Sequence, residues 1–480
     1  MSEQRIEIER KEAMHYNTKA IMFVLLLGGF IALFNETILN VAFPKLMVEM
    51  HVSAATVQWL TTGYVLVVGI LVPITAFLMH TFTTKELYVG AICLFLLGTI
   101  CAALSNSFIT LLISRLVQAL GTGMLIPIMM NSALVITPVE KHGSVMGLCA
   151  SILTLGPALG PTVSGLLLQF FSWHSLFILL IPILVVCIIG GLAFLQNTSI
   201  ITKPKIDYLS IVLSSIGFAG FIYAVSSAGT SSLLSTIIIF AIGIAALIFY
   251  GRRQLSLKQP MLEIRAFKYP IFTIGIFLII IIQMFQFSIN MIIPLLMQNG
   301  LKTSSFTSAL VLLPAILTSA VLTPLTGKIY DKVGGKILIP TGFIIMFAFT
   351  FLLSRVTPSA SILQITVMYC LIMVGLSMSM SPSQTTALNQ LPPKNNPDGV
   401  AILNTAMQLA GALGSALFVG IMTAFQTSYL KASHNGVKAI FNGFSHSVTV
   451  AAVLMAIGFV LSLKLASKSK TRQSNNASSR

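Results

Sequence analysis

Glu36 stands inside a long apolar run, in the stretch FNETILN, with Asn35 just before it and Asn40 four residues after. Four of the twelve acidic residues lie within the first 12 positions. Seven others (Glu49, Glu86, Glu140, Asp207, Glu263, Asp331 and Asp398) fall between apolar runs or at their ends. Glu36 is the one carboxylate deep in a run, nine residues before Lys45, or about 13 Å along a helix. A charge at such depth in a bilayer costs at least a few kcal/mol, so ionisable residues there face a cavity or a partner and mark ion paths. The chemistry open to Glu36 is reversible protonation. The alternative is a structural acid, permanently protonated or hydrogen-bonded to a neighbour such as Asn40.

A second candidate is Arg115 in LLISRLVQALGTG, with Gln118 and Gly121 following at helical spacing. On one face of a helix these residues direct the guanidinium toward a cavity, where it would bias a nearby acid; snorkelling to an interface is the other reading. In GLCASILTLGPALGPTVSG, Gly156, Gly160 and Ser164 recur every four residues, with Pro157, Pro161 and Gly165 among them. Small residues on one face admit a second helix and the prolines favour a kink, so the segment is either a hinge or a tight contact. GKIYDKVGGK holds Gly327, Asp331, Lys332 and Gly334 in a short turn. There Asp331 either caps a neighbouring helix end or is simply solvated.

Polar stripes mark candidate cavity walls. Gln283, Gln286 and Asn290 share one helical face, and Asn404, Gln408 and Ser415 another. With Phe285, Trp59, Tyr64 and 22 methionines they would line a greasy, adaptable pocket; interhelical hydrogen bonding is the competing role. The seven histidines are scattered, none at metal-ligand spacing, and no glycine-rich phosphate cradle with lysine occurs. No nucleophile and base pair stands out in the apolar runs, so the chain is not expected to be an enzyme.

The elements that must position these residues are membrane helices. Of 480 residues, 56% are hydrophobic and 8% charged, against about 25% charged in soluble proteins. Fourteen apolar runs lie near 20–42, 56–79, 87–105, 108–135, 143–168, 175–196, 207–226, 233–250, 270–296, 305–326, 337–354, 361–388, 399–425 and 445–464. Each can cross a hydrocarbon core ~30 Å thick, and in lipid the backbone must satisfy itself, here as helix. Twenty-two of the 28 basic residues fall on the side shared by both termini; Lys45, Lys302, Arg355, Lys431 and Lys438 fall on the other. The positive-inside rule makes the basic side cytoplasmic, so the charge of +16 reports topology rather than nucleic acid. The five cysteines all lie in apolar runs and read as small buried side chains.

LVPITAFLMHTFTTKEL and LTPLTGKIYDKVGGKIL superpose at an offset of 251, matching Pro73 with Pro324 and Lys85 with Lys336. Repeated bundles with a site at their interface are a transporter architecture. The expected organisation is an all-α polytopic protein. Residues 1–18 form a cytoplasmic tail, 19–200 a six-helix bundle, 201–268 an inserted helix pair with a basic linker, 269–464 a second six-helix bundle, and 465–480 a cytoplasmic tail.

In combination the motifs resemble those of the major facilitator superfamily, specifically its fourteen-helix drug:proton antiporters, over nearly the whole chain. FNETILNVAFP is similar to the first-helix signature L-D-x-T-I-V-N-V-A-L-P. RLVQALGTG resembles the fourth-helix R-x-x-Q-x-x-G-x-G pattern, GPALGPTVSG the fifth-helix antiporter motif, and GKIYDKVGGK the G-x-x-x-D-R-x-G-R-K loop. Asn35 replaces the signature aspartate and the acid sits one place on, rotated about 100°, as in the lincomycin-resistance-type branch of Gram-positive bacteria. His80 occupies the aspartate position of the first loop copy, and His174 replaces the arginine that follows Trp173. A latch at the first loop must therefore be weaker or differently made.

The resemblance implies a multidrug efflux transporter of the cell membrane, working as a monomer by alternating access. It would need no cofactor beyond the proton gradient and no nucleic acid, its partners being small drugs, protons and the bilayer. Glu36 and Arg115 would couple the proton, supported by Asn35, Asn40 and Gln118. One acid within the membrane suggests low proton stoichiometry. An exporter or uniporter of one metabolite, lipid or peptide is the alternative within transport; a non-transporting receptor is the alternative outside it.

Overall fold

A computed structural model describes residues 17–197, 201, 202, 204, 206–226 and 232–477. Most of the N-terminal tail, Lys203, Lys205 and the last three residues lie outside the described residues. Fourteen helices are long and apolar enough to span a membrane, and no strand occurs among the described residues. In chain order they are α1 Thr18–Ile38, α2 Trp59–Thr81, α3 Thr84–Ala103, α4 Phe108–Ile136, α5 His142–Phe170, α6 Leu180–Phe194 (whose span begins with the short helix Ser175–Ile178) and α7 Tyr208–Ser226. There follow α8 Leu233–Ser256, α9 Pro270–Leu295, α10 Ser305–Val333, α11 Gly335–Leu353, α12 Ile362–Leu388, α13 Asn396–Ser433 and α14 Gly436–Ala477.

Serine and threonine start many of these helices, accepting an orphan N–H at the first turn. Ser107 caps α4 through Thr110, Ser304 caps α10 through Thr307, and Ser361 caps α12 through Gln364. Thr83 and Glu86 form a reciprocal capping box on α3. Gly334 separates α10 from α11 at φ 74°, a left-handed conformation that glycine adopts without steric penalty.

Two boundaries differ from expectation. The first span is broken rather than continuous: α1 stops at Ile38, a 3₁₀ turn covers Asn40–Ala42, and a short helix runs Phe43–Glu49. The connection between α13 and α14 shrinks to His434 and Asn435, because both helices continue past their apolar stretches. Hydropathy reports where lipid ends, and a helix need not end there.

α1 packs on α4, α5 and α6, α2 on α4, and α3 on α4 and α6; in the second half α9 packs on α12, α13 and α14, and α11 on α12 and α14. These are the two six-helix bundles. They meet along two seams, α5 against α10 and α2 against α13, which the internal repeat makes equivalent. The inserted helix α7 packs on α8 and lies across the α2–α13 seam.

Candidate functional site

The buried centre of the first bundle is a polar network around Arg115, which is 0% exposed. Leu39, which ends α1, turns its N–H to the Thr37 carbonyl, and Arg115 takes up carbonyls beside the break. Its Nη1 donates to Asn35 O at 3.1 Å and to Gln118 Oε1 at 3.0 Å, and its Nη2 donates to Glu36 O at 3.4 Å. The guanidinium also lies 4.1 Å from the centre of the Tyr64 ring, a cation–π contact worth about 2 kcal/mol where water is excluded. Asn35 Nδ2 donates to Gln118 Oε1 at 3.2 Å and to Tyr64 Oη at 3.4 Å. Gln118 Nε2 continues to Thr99 Oγ1 at 2.8 Å, and Tyr64 Oη meets Thr122 Oγ1 at 2.5 Å.

A buried cation must be compensated. Here the groups in direct contact with it are a helix C-terminus, an amide and an aromatic face. Among the described residues no ion pair joins Arg115 to Glu36; the ion pairs are His80–Asp398, Arg253–Asp207 and Arg265–Glu263. The Glu36 side chain is half-buried in the last turn of α1. Its carboxyl group takes no hydrogen bond from a described residue.

Asn40 does not serve Glu36. The 3₁₀ turn carries it away from the helical face of Glu36, and it accepts from Thr61 Oγ1 at 2.9 Å. Gly121 turns from the Arg115 face into the α3–α4 contact, where a Cβ would meet Phe95 Cβ at 2.9 Å.

The antiporter motif presses α5 against this broken end of α1. A Cβ on Gly156 would lie 2.7 Å from Leu33 Cβ, and one on Gly160 would lie 3.0 Å from Phe34 O. Thr37 Oγ1 donates to Pro157 O at 3.0 Å. Gly165 has open space around its Cα and takes no part in the contact. α5 stays one helix through Pro157 and Pro161.

Two latches close the seams on the side of the chain termini. At one, Asp331 Oδ1 accepts from Gly143 N at 2.7 Å, and Oδ2 accepts from Ser144 N at 2.9 Å and from Ser144 Oγ. An anion is thereby set on the N-terminus of α5, where the helix dipole favours it. Gly327 lies against the Gly143 backbone and admits this approach; Lys332 follows in the last turn of α10. At the other, His80 Nε2 lies 3.1 Å from Asp398 Oδ2. Asp398 is the third residue of α13, as Ser144 is of α5. Acid and partner have changed places between the two copies, which is the different latch that His80 required.

A cavity of about 1470 Å³ opens on the opposite side. The far halves of α9 and α13 line it, with Asn290, Pro294, Gln298, Ser415, Thr423 and Lys431 on its walls. Asn290 accepts from Tyr369 Oη at 2.5 Å. The other expected cavity residues lie elsewhere. Phe285 is fully buried, and Gln283 nearly so, in the core. Gln286 and Gln408 are half-buried but off the cavity wall. Asn404 donates to Val400 O at 2.9 Å and to Met130 Sδ of the first bundle at 3.3 Å. Tyr64 belongs to the Arg115 network, and Trp59, 42% exposed, stacks on Tyr223 of α7. On α9 only Asn290 of the Gln283–Gln286–Asn290 stripe reaches the cavity, beside Met291, Pro294 and Leu295, which carry no polar signal. On α13 the signal existed in part: Ser415 of the Asn404 stripe lines the cavity, joined by Thr423, Thr427 and Lys431 further along the helix.

A broken first helix at a buried arginine, two bundles latched at equivalent seams and a cavity on the side away from the latches make up a membrane transporter of the repeated-bundle kind. The chain belongs to the major facilitator superfamily, whose family model matches residues 25–415. It is 43% identical over 465 residues to the lincomycin resistance protein LmrB of Bacillus subtilis (strain 168), covering 95% of this chain and 97% of that one. With the protein of that name from Listeria monocytogenes (serovar 1/2a, strain ATCC BAA-679 / EGD-e) it shares 42% identity over 450 residues, 92% of this chain and 96% of that one. In fold it is similar to the human organic anion transporter MFSD10 (TETRAN), with TM-score 0.65 and 12% identity over 93% of this chain and 99% of that one. The proton:xylose symporter XylE gives TM-score 0.62 and 15% identity over 91% and 95%.

Proposed function

We propose that the protein exports structurally diverse amphiphilic antimicrobials across the plasma membrane in exchange for protons, working as a monomer with both termini in the cytoplasm. The observation that carries this reading is the Glu36 carboxyl, left without a partner beside a buried arginine whose direct contacts are with other groups. A carboxyl so placed is free to take a proton in one conformation and yield it in another. Arg115 pins the carbonyls at the end of α1, and the Gly156–Gly160 face of α5 backs that end, so Glu36 is held on rigid elements. The names of the lincomycin-resistance relatives support drugs as the cargo.

With latches closed on the termini side and the cavity open opposite, the conformation corresponds to the outward-open state. Protonation of Glu36 from outside favours return to the inward-open state, where substrate binding and proton release are linked. Such coupling requires that substrate and proton have different affinities for the two states. The test is uptake of a fluorescent lincosamide or dye into inside-out vesicles energised by respiration. Uptake abolished by a protonophore supports the reading; uptake that survives full collapse of the proton gradient contradicts it.

A further inference from the structure

The inserted pair α7–α8 lies at one of two equivalent seams, and its contacts are specific. On the termini side Asp207 accepts from Arg253 Nε at 2.7 Å and from Nη2 at 2.9 Å. Gln254 Nε2 donates to Ser210 Oγ at 2.6 Å, and Gln254 Oε1 accepts from Met261 N at 2.9 Å. The linker that follows reaches Asp398 through Glu263 N at 2.9 Å, the carboxylate that also holds His80. The base of the pair is thus tied to the latch between α2 and α13.

Toward the other side α7 settles into α2. A Cβ on Gly69 would lie 2.5 Å from Ile222 Cδ1, so the absent side chain is what seats Ile222. Tyr223 stacks on Trp59 with ring centres 5.9 Å apart. Two residues further on, Val225 lines the cavity together with Asn290, Pro294 and Ser415. An accessory pair that only spaced the bundles or touched lipid would leave the cavity lined by α9 and α13 alone.

We propose that α7 is a wall of the substrate cavity and that side-chain volume at Val225 sets the size of amphiphile the cavity accepts. The proposal rests on the export reading and extends it to a specificity-determining residue on the inserted pair. Val225 offers an apolar surface to the body of the substrate, while Ser415, Thr423 and Asn290 offer polar groups to its other end. Trp59 and Tyr223 hold the end of α7 that carries Val225.

The experiment compares Val225→Trp with Ile216→Trp, which enlarges a residue on the exposed face of the same helix. Transport of a graded series of drugs is measured for both at matched expression. Val225→Trp is expected to lower transport of the bulkiest compounds about tenfold relative to the smallest, with Ile216→Trp like wild type. Equal effects of the two variants across the series overturn the proposal. A second variant, Val225→Cys, is labelled after folding with a charged, membrane-impermeant thiol reagent, using the unaltered chain as background. Labelling that a transported drug slows supports the wall; no labelling above background overturns it. Labelling without drug-driven flux in any protein, wild type included, locates the failure in the export reading.

Discussion

At the scale of single residues, Arg115 is held by geometry as much as by charge. A planar guanidinium can reach two carbonyls and an amide while sitting over the Tyr64 ring; an ammonium cannot. Arg115→Lys is therefore expected to fold and to lose transport about ten- to hundredfold, measured as initial drug flux at equal protein. Arg115→Ala leaves the Asn35 and Glu36 carbonyls without the guanidinium donors and is expected to destabilise by about 1–3 kcal/mol, seen as a fall in melting temperature. The identity of this site was legible in sequence, because a lone acid and a lone arginine inside apolar runs have few explanations. Its wiring was not. Nothing in FNETILN announces that α1 stops at Ile38, and that break turns Arg115 toward carbonyl oxygens and takes Asn40 away from Glu36.

At the scale of elements, the antiporter motif divides into parts that touch α1 and a part that does not. Gly160→Ala forces a methyl group against Phe34 O and Thr37 and should cost about 1–3 kcal/mol, with a loss of transport. Gly165→Ala meets open space and should leave both thermal unfolding and flux unchanged. The latches give a reciprocal case. His80→Asp sets two carboxylates together at the first turn of α13 and is expected to cut transport about tenfold. Adding Asp398→Ser recreates the arrangement that Asp331 has with Ser144, and flux in the double variant should recover. If the double variant is as impaired as the single one, the two latches are not equivalent. The loop motif and its altered copy were visible in the sequence; that the acid had moved onto the facing helix was not, since the partner lies 318 positions away.

At the scale of the molecule, two bundles joined at equivalent seams differ because only one seam carries α7. The number and order of spans could be read from apolar runs and charge alone, since lipid permits few alternatives. The place of the inserted pair could not, because α7 and α8 carry no signal beyond hydrophobicity and a tight glycine contact. One observable belongs to the base of that pair. The Arg253 guanidinium, with help from Ser210, pushes Asp207 from its ordinary 3.8 down to about 2. Paired with Arg253 in this way, Asp207 is ionised at neutral pH. A depressed carboxyl stabilises fully above its unfolded pKa and loses that contribution as pH falls through its folded value. Melting temperature should therefore show an Asp207-dependent fall between about pH 4 and 2, absent in Asp207→Asn.

The central claim is that Glu36 carries the coupled proton. It is tested most directly by drug-induced proton release from inside-out vesicles, comparing wild type with Glu36→Gln at matched expression. The account predicts proton release on drug addition for wild type and none for Glu36→Gln, with the variant still binding drug. Stoichiometric proton release by Glu36→Gln would contradict it and make Glu36 a structural residue.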